Sequence, residues 1–426
     1  MAFASRLNNA PPAAEPGLLR RGAADRDVDP RDLEPVRVAV VGLGYWGPNL
    51  VRNLHEIYEG EVVSACDRRP EALDAIRRRY PAVRLTSEFE DVLADPAVEA
   101  VALATPVSTH HRLAAAALAA GKHVFVEKPL AASSAEAAKL ICSAEERALV
   151  LMPGHTFLYS PPVNIIRDLV STGELGQIYF ISMSRVNLGL HQSDVSVIWD
   201  LAPHDFSILR YWLQEVPSHV SAVSQDCILP GSADIAFVNL EFDSGTIAHV
   251  ELSWLAPSKL RRTTIVGSRK MVVYDDTSNE PVRIFDSGVA APTPETFGEF
   301  RLSYRTGDVV SPHVKPSEPL SLELADFCRA IRTGSEPRSH ARLGLDVVRM
   351  IEAVDKSLDV RSAVAASANG NRAADSGGDG ANGNGHMDGY HENGDGHGLP
   401  ADLIGEAKRP IARRARARVS GRGREQ

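Results

Sequence analysis

Between residues 36 and 152 the apolar positions follow two alternating periods. Short, nearly continuous and often β-branched runs at 36–41 (VRVAVV), 61–67 (EVVSACD), 100–104, 123–126 and 149–152 read as strands buried on both faces. The intervening segments 46–57, 70–79, 109–120 and 134–147 read as helices, and the third stops at Gly121, a preferred residue just past a helix end. Strand–helix alternation with short connections predicts a parallel, doubly wound sheet.

After residue 155 the pattern changes. Runs at 178–185, 220–225, 235–242, 246–253, 261–266 and 271–274 read as successive strands, with Asp243-Ser244-Gly245 as a hairpin turn between two of them. Segments 320–332 and 343–358 read as closing helices. The predicted fold class is α/β: a parallel nucleotide-binding sheet, then an α+β domain built on an open-faced, mainly antiparallel sheet. The expected boundaries are a disordered arm at 1–34, the first domain at 35–155, a substrate and oligomerisation domain at 156–361, and a disordered tail at 362–426. The terminal helix is expected to pack back on the first domain.

Charge narrows the partners. Lys plus Arg is 46 and Asp plus Glu is 55, a net −9, which argues against a dedicated nucleic-acid binder. No window approaches 18 consecutive apolar residues, so no membrane span is expected, and the proline-broken N-terminus is not a secretory signal. Cys66, Cys142, Cys227 and Cys328 are widely separated and form no C-x-x-C pair. They fit a reducing, cytoplasmic setting without metal. The tail is rich in Gly, Ala, Asn and Asp, then carries eight basic residues between Lys408 and Arg424; it reads as solvated. An open apolar sheet face predicts a homo-oligomer, dimer or tetramer.

Gly42-Leu43-Gly44-Tyr45-Trp46-Gly47 is a G-x-G-x-x-G that follows the first strand and opens a helix, the context that gives this motif meaning. Gly42 permits the tight turn, Gly44 lets backbone approach a pyrophosphate, and Gly47 lets helix and strand pack closely. Asp67 ends the second strand, 20 residues after Gly47, where an acid binds ribose hydroxyls and repels a 2′-phosphate. NAD is therefore expected, with NADP possible through the adjacent Arg68 and Arg69. Lys128 leaves the carboxyl end of the strand HVFV, the end at which such sheets bind ligands.

The segments VAVVGLGYWG, ACD, ALATPVSTHHRLAAAALAAGKHVFVEKPL and WDLAPHDFSIL resemble the glucose–fructose oxidoreductase, inositol dehydrogenase and MocA (Gfo/Idh/MocA) family over about residues 36–360. The resemblance implies a Rossmann domain and nicotinamide-dependent oxidation of sugars or polyols. It places Lys128 near the reacting carbon, and the D-x-x-x-H pair Asp200 and His204 in the active site. It extends the cofactor-binding set to Tyr45, Trp46, Arg68, Thr105, Pro106, His110 and Glu127, and suggests His155, Tyr159, Arg185 and Asn187 toward the substrate. One segment departs from the family pattern: GHTFLYSP carries His155 and Tyr159 where many relatives have arginine and asparagine. The stretch RVNLGLHQSDVSVIWDLAPHD is most similar to the nucleotide-sugar branch, of the UDP-N-acetylglucosamine 3-dehydrogenase type.

The spacing of Asp200 and His204 puts both on one face of a helix beginning near Asp200, with Pro203 in its first turn; Asp200 could equally be an N-cap. His204 suits proton transfer at neutral pH, and Lys128 suits stabilisation of alkoxide charge. The reverse allotment makes Lys128 the base. Alternative functions are an inositol or free-sugar dehydrogenase, and a non-catalytic cofactor-binding regulator.

Overall fold

A computed structural model describes residues 33–189, 195–290 and 303–375. The expected N-terminal arm and the tail beyond residue 375 lie outside the described residues.

The first layer is a six-stranded parallel sheet. Its strands are β1 (Val36–Val41), β2 (Gly60–Cys66), β3 (Arg84–Thr86), β4 (Ala100–Leu103), β5 (His123–Glu127) and β6 (Leu151–Gly154), in the order 3-2-1-4-5-6. Central strands such as β1 and β4 are buried almost throughout, which is why their sequence shows no alternation. Helices α1 (Gly47–Glu56), α2 (Pro70–Arg79), α3 (Phe89–Ala94), α4 (Val107–Ala119) and α5 (Ser134–Glu146) connect them. The short pair β3 and α3 has no signature in the apolar pattern, because three edge residues and six helical ones are too few to show a period. Strand β6 lies two residues later than expected. Its Pro153 sits on a strand paired only with β5, an edge where the missing N–H costs no ladder bond.

A short 3₁₀ turn (Thr156–Tyr159) and α6 (Pro161–Ser171), neither expected, lead into the second layer. There β7 (Ile178–Leu188), β8 (His219–Gln225), β9 (Ile235–Glu241), β10 (Ile247–Ser253), β11 (Leu255–Gly267), β12 (Met271–Asp275), β13 (Val282–Ala290) and β14 (Ser303–Val310) pair in the order 14-13-12-11-7-10-9-8. All pairs are antiparallel except β7 with β10. The β9–β10 turn is the expected hairpin, with Gly245 at φ 85°. On β9, Ala236, Val238 and Leu240 are buried under α7 (Val197–Leu213), while Phe237 faces outward. That alternation marks a sheet covered on one face only.

Helix α7 starts three residues before Asp200. Ser196 is its N-cap, so Asp200 is a helical residue and not a cap, and Pro203 lies inside the helix rather than in its first turn.

Helix α8 (Pro319–Thr333) returns to the first layer, where Cys328 Sγ lies 3.3 Å from the Cβ position of Gly60. Helix α9 (Ala341–Asp375) follows, and Gly344 lets it approach Pro153. It runs to Asp375, past the expected boundary at 361. One apolar core includes Val36 and Val40 of β1, Trp212 of α7, Phe327 of α8 and Ile351 of α9, so both sheets share it.

Candidate active site

The glycine turn shows what each glycine is for. Gly42 has φ 88°, and a Cβ there would press on the Ala104 carbonyl. A Cβ on Gly47 would land on the Gly42 carbonyl oxygen. Gly44 has no atom within 4 Å of its Cβ position, leaving its backbone open to a ligand. Helix α1 begins directly after this turn, and the positive end of its dipole suits a pyrophosphate. Tyr45 and Trp46 are exposed and packed edge to face.

Asp67 closes one end of this cradle. Its Oδ2 accepts the Leu43 N–H at 2.7 Å, tying the end of β2 to the glycine turn. Arg69, not Arg68, grips the carboxylate, through Nε and Nη2 at 3.0 Å each. Although partial burial opposes ionisation, the Arg69 and Leu43 hydrogen bonds hold this carboxyl below its ordinary range. A cavity of about 590 Å³ opens here, lined by Gly42, Gly44, Asp67, Arg68, Thr105 and Pro106 among others. Its dimensions and its anion-friendly turn fit a dinucleotide. His110 does not face it. The ring is buried, with its nitrogens 2.8 and 2.9 Å from the carbonyl oxygens of Pro129 and Thr105. It braces two loops instead of touching a ligand.

A second cavity of about 450 Å³ joins the two layers, lined by Trp46, Lys128, Thr156, Phe157, His204 and Arg261 among others. The Lys128–Pro129 peptide is cis. Lys128 Nζ donates to the Asp200 carbonyl at 2.9 Å and to its Oδ1 at 3.0 Å. His204 lies one turn further along α7. Its Nδ1 is buried without a partner among the described residues, and its ring meets Phe157 edge to face at 5.0 Å. Burial and the nearby cations Lys128, Arg185 and Arg261 push the imidazole well below its ordinary pKa. The ring is therefore neutral at neutral pH, a state that can accept a proton.

Lys128, Asp200 and His204 thus converge, as do Gly42, Gly44 and Asp67. Two expected substrate residues do not face the cavity. Arg185 is buried in a bidentate pair with Asp205 at 2.8 and 2.9 Å, which bolts β7 to α7, and its guanidinium caps Phe157. Tyr159 is buried and spends its hydroxyl on Asp326 of α8. His155 is buried beneath the cavity, with both ring nitrogens unpartnered among the described residues; burial pushes it down to about 3. Asn187 lies half-buried two residues beyond Arg185. The residues that sequence reasoning missed are Arg261, Tyr274 and Asp276 on or beside β11 and β12, and Arg52 and Glu318 at the α1–α8 seam. Nothing local marks them, because they arrive from a separate sheet and from a helix far along the chain.

Residues 36–155 match the description "Oxidoreductase family, NAD-binding Rossmann fold" of Gfo/Idh/MocA, and residues 163–273 match the C-terminal domain of that family. The chain belongs to the Gfo/Idh/MocA family. It is accordingly an NAD-binding oxidoreductase, and the dinucleotide cradle is the family's cofactor site. Among its relatives, a 4-carboxy-2-hydroxymuconate-6-semialdehyde dehydrogenase of Sphingobium sp. is 28% identical over 340 residues, covering 76% of this chain and 99% of the relative. A UDP-N-acetylglucosamine 3-dehydrogenase of Acidithiobacillus ferrooxidans is 29% identical over 248 residues, covering 57% of this chain and 75% of the relative. The crystal structure of GenD2 from gentamicin A biosynthesis, in complex with NAD, superposes with a TM-score of 0.65 at 25% identity, covering 76% of this chain and 94% of that one. Among the described residues no helix is long and apolar enough to cross a membrane.

Proposed function

We propose that the chain interconverts a ring CH–OH and its ketone on a nucleotide-activated hexose. The observation that carries this reading is the meeting of Lys128 and His204 in one cavity with Trp46 of the dinucleotide turn, with Asp200 paired to Lys128. NAD, when bound, accepts the hydride in oxidation and returns it in reduction. Gly44 and the start of α1 would hold its phosphates, and Asp67 its ribose. His204 would take the hydroxyl proton at Nε2, its neutral ring being the competent form. Lys128 has three N–H donors, and two are taken by Asp200. The third would reach the reacting oxygen and stabilise its developing charge. Asp200 would hold Lys128 in place from one turn before His204.

The hexose part of the reading rests on the RVNLGLHQSDVSVIWDLAPHD resemblance and on the relative that acts on UDP-N-acetylglucosamine. The reading includes self-association through the uncovered sheet face, where Phe180 pairs with Ile247 and Val223 with Phe237, all exposed. The test is NADH formation by the purified protein with UDP-N-acetylglucosamine, free hexoses and inositols, together with its mass by light scattering. A higher kcat/KM on an inositol would replace the substrate assignment. No turnover of any hydroxyl substrate would remove the catalytic reading.

A further inference from the structure

Behind Lys128 the cavity wall holds polar atoms that the chemistry above does not use. Glu323 of α8 is fully buried. Its Oε2 accepts the Thr156 hydroxyl at 2.7 Å, and its Oε1 is buried without a partner among the described residues. Thr156 itself lines the active cavity with Lys128 and His204. Glu127 lies close by: its Oε2 is 3.2 Å from the Cβ position of Gly154, two residues before Thr156. His155, next to Thr156 in the chain, has two unpartnered ring nitrogens among the described residues. Buried polar atoms left this way are normally joined by ordered water. Such a cluster, reaching the cavity at Thr156 and Glu127, is built for exchanging protons.

We propose that Glu323 is the internal proton store of the active cavity, loaded and unloaded through the Thr156 hydroxyl. The proposal rests on the reading that alcohol oxidation takes place in that cavity. Each oxidation of CH–OH to a ketone delivers a hydride to NAD and leaves one proton on His204. That proton passes to cavity water. Water then donates a proton to Thr156 Oγ1 while the Thr156 hydroxyl proton moves to Glu323 Oε2. One O–H bond breaks and one forms at each link, and Glu323 changes from carboxylate to carboxylic acid. It unloads by the same links in reverse, the direction that reduction also uses.

The titratable and charged groups that face Glu323 are Glu127 at the end of β5, Tyr159 in the 3₁₀ turn and Asp326 on its own helix. Lys128 faces Glu127. Burial and the two neighbouring carboxylates raise Glu323 well above the ordinary range, while the Thr156 hydrogen bond pulls the other way. Burial pushes Glu127 up to about 7. Glu323 therefore takes up a proton more readily than an ordinary carboxylate does.

Glu323→Gln keeps the shape and the bond from Thr156 but cannot take a proton. Infrared difference spectra of the full chain, recorded across its pH titration, should show a carboxylic-acid band that titrates above the ordinary carboxyl range and disappears in Glu323→Gln. Thr156→Val should push the titration of that band still higher, since it removes the hydrogen bond that favours the ionised form. In turnover, both variants should lose about tenfold or more in kcat, the low side of what acid–base groups contribute, with KM and NAD affinity held. The rate–pH profile and the solvent isotope effect should change with them. A band common to wild type and Glu323→Gln would overturn the proposal. So would a band that Thr156→Val leaves unshifted, or a Glu323→Gln enzyme within about twofold of wild type with an unchanged profile. If the wild type oxidises no alcohol, the proposed function fails, and the proposal about Glu323 falls with it only if the Thr156→Val band is also unshifted.

Discussion

At Asp67 one carboxylate serves two ends. It organises the glycine turn through Leu43, and its charge stands where a 2′-phosphate would sit. Asp67→Ala should weaken NAD binding and narrow the gap between NAD and NADP, read as the ratio of their dissociation constants by titration. Tighter wild-type binding of NADP than of NAD would contradict this. The catalytic pair is separable by pH. His204→Asn should lower kcat by about 10²–10⁴-fold with NAD affinity nearly unchanged, because the ring belongs to the second layer. Lys128→Met should also slow turnover by removing alkoxide stabilisation. The His204 pKa is depressed, so its acidic limb lies well below pH 6.5. His204→Asn should remove that limb and Lys128→Met should keep it; the opposite pattern would make Lys128 the base. The places of the glycines, Asp67 and Lys128 in the fold were legible in sequence because each occupies a fixed offset from a strand end. Arg185 and Tyr159 misled because residue type and position on an element do not say which partner reaches the side chain first.

Among the elements, α7 carries the most consequence, since it presents Asp200 and His204 from one face. Its position depends on the buried Arg185–Asp205 pair to β7. Burying both charges costs desolvation, so the pair adds little net stability, but removing one partner strands the other. Asp205→Asn should therefore cost about 3–5 kcal/mol in denaturant unfolding. It should also reduce turnover, because Arg185 holds the Phe157 ring against which His204 rests. A loss below about 1 kcal/mol would show that the pair is not the anchor. Most strands and helices with a clear period were readable to within a few residues, but β11 begins earlier and α9 ends later than their patterns suggest, and α6, β13 and β14 were not foreseen. The 3₁₀ turn, α3 and β3 were missed because short elements owe their form to packing neighbours rather than to their own pattern. The N-terminus of α7 was misplaced because Ser196, an ordinary cap residue, lies in a stretch without apolar periodicity.

For the whole molecule, buried ionisable groups set the pH range of stability. His155, His204 and His110 are held neutral by burial, so their folded pKa values fall below the unfolded value of about 6.5. Below that pH the unfolded chain binds protons that the folded chain refuses, and stability declines, for His155 down to about 3. The slope is about 1.4 kcal/mol per pH unit for each such histidine. Glu127 and Glu323 act in the opposite sense: their pKa values are raised, so their contribution is present at low pH and is lost as pH rises, through about 7 for Glu127. The melting temperature should fall between pH 6.5 and 5, and His155→Gln should flatten that fall. A His155→Gln curve as steep as that of the wild type across this interval would contradict a buried neutral His155. By itself the sequence determined the two-layer α/β plan and an NAD-binding first domain, because hydrophobic period and local spacing are properties of the chain. Only the tertiary structure decided that Arg185 and Tyr159 are struts, that Arg261 and Asp276 face the cavity, and that Glu323 lies behind it. Those outcomes depend on which distant side chain satisfies a buried charge, and no local pattern records that.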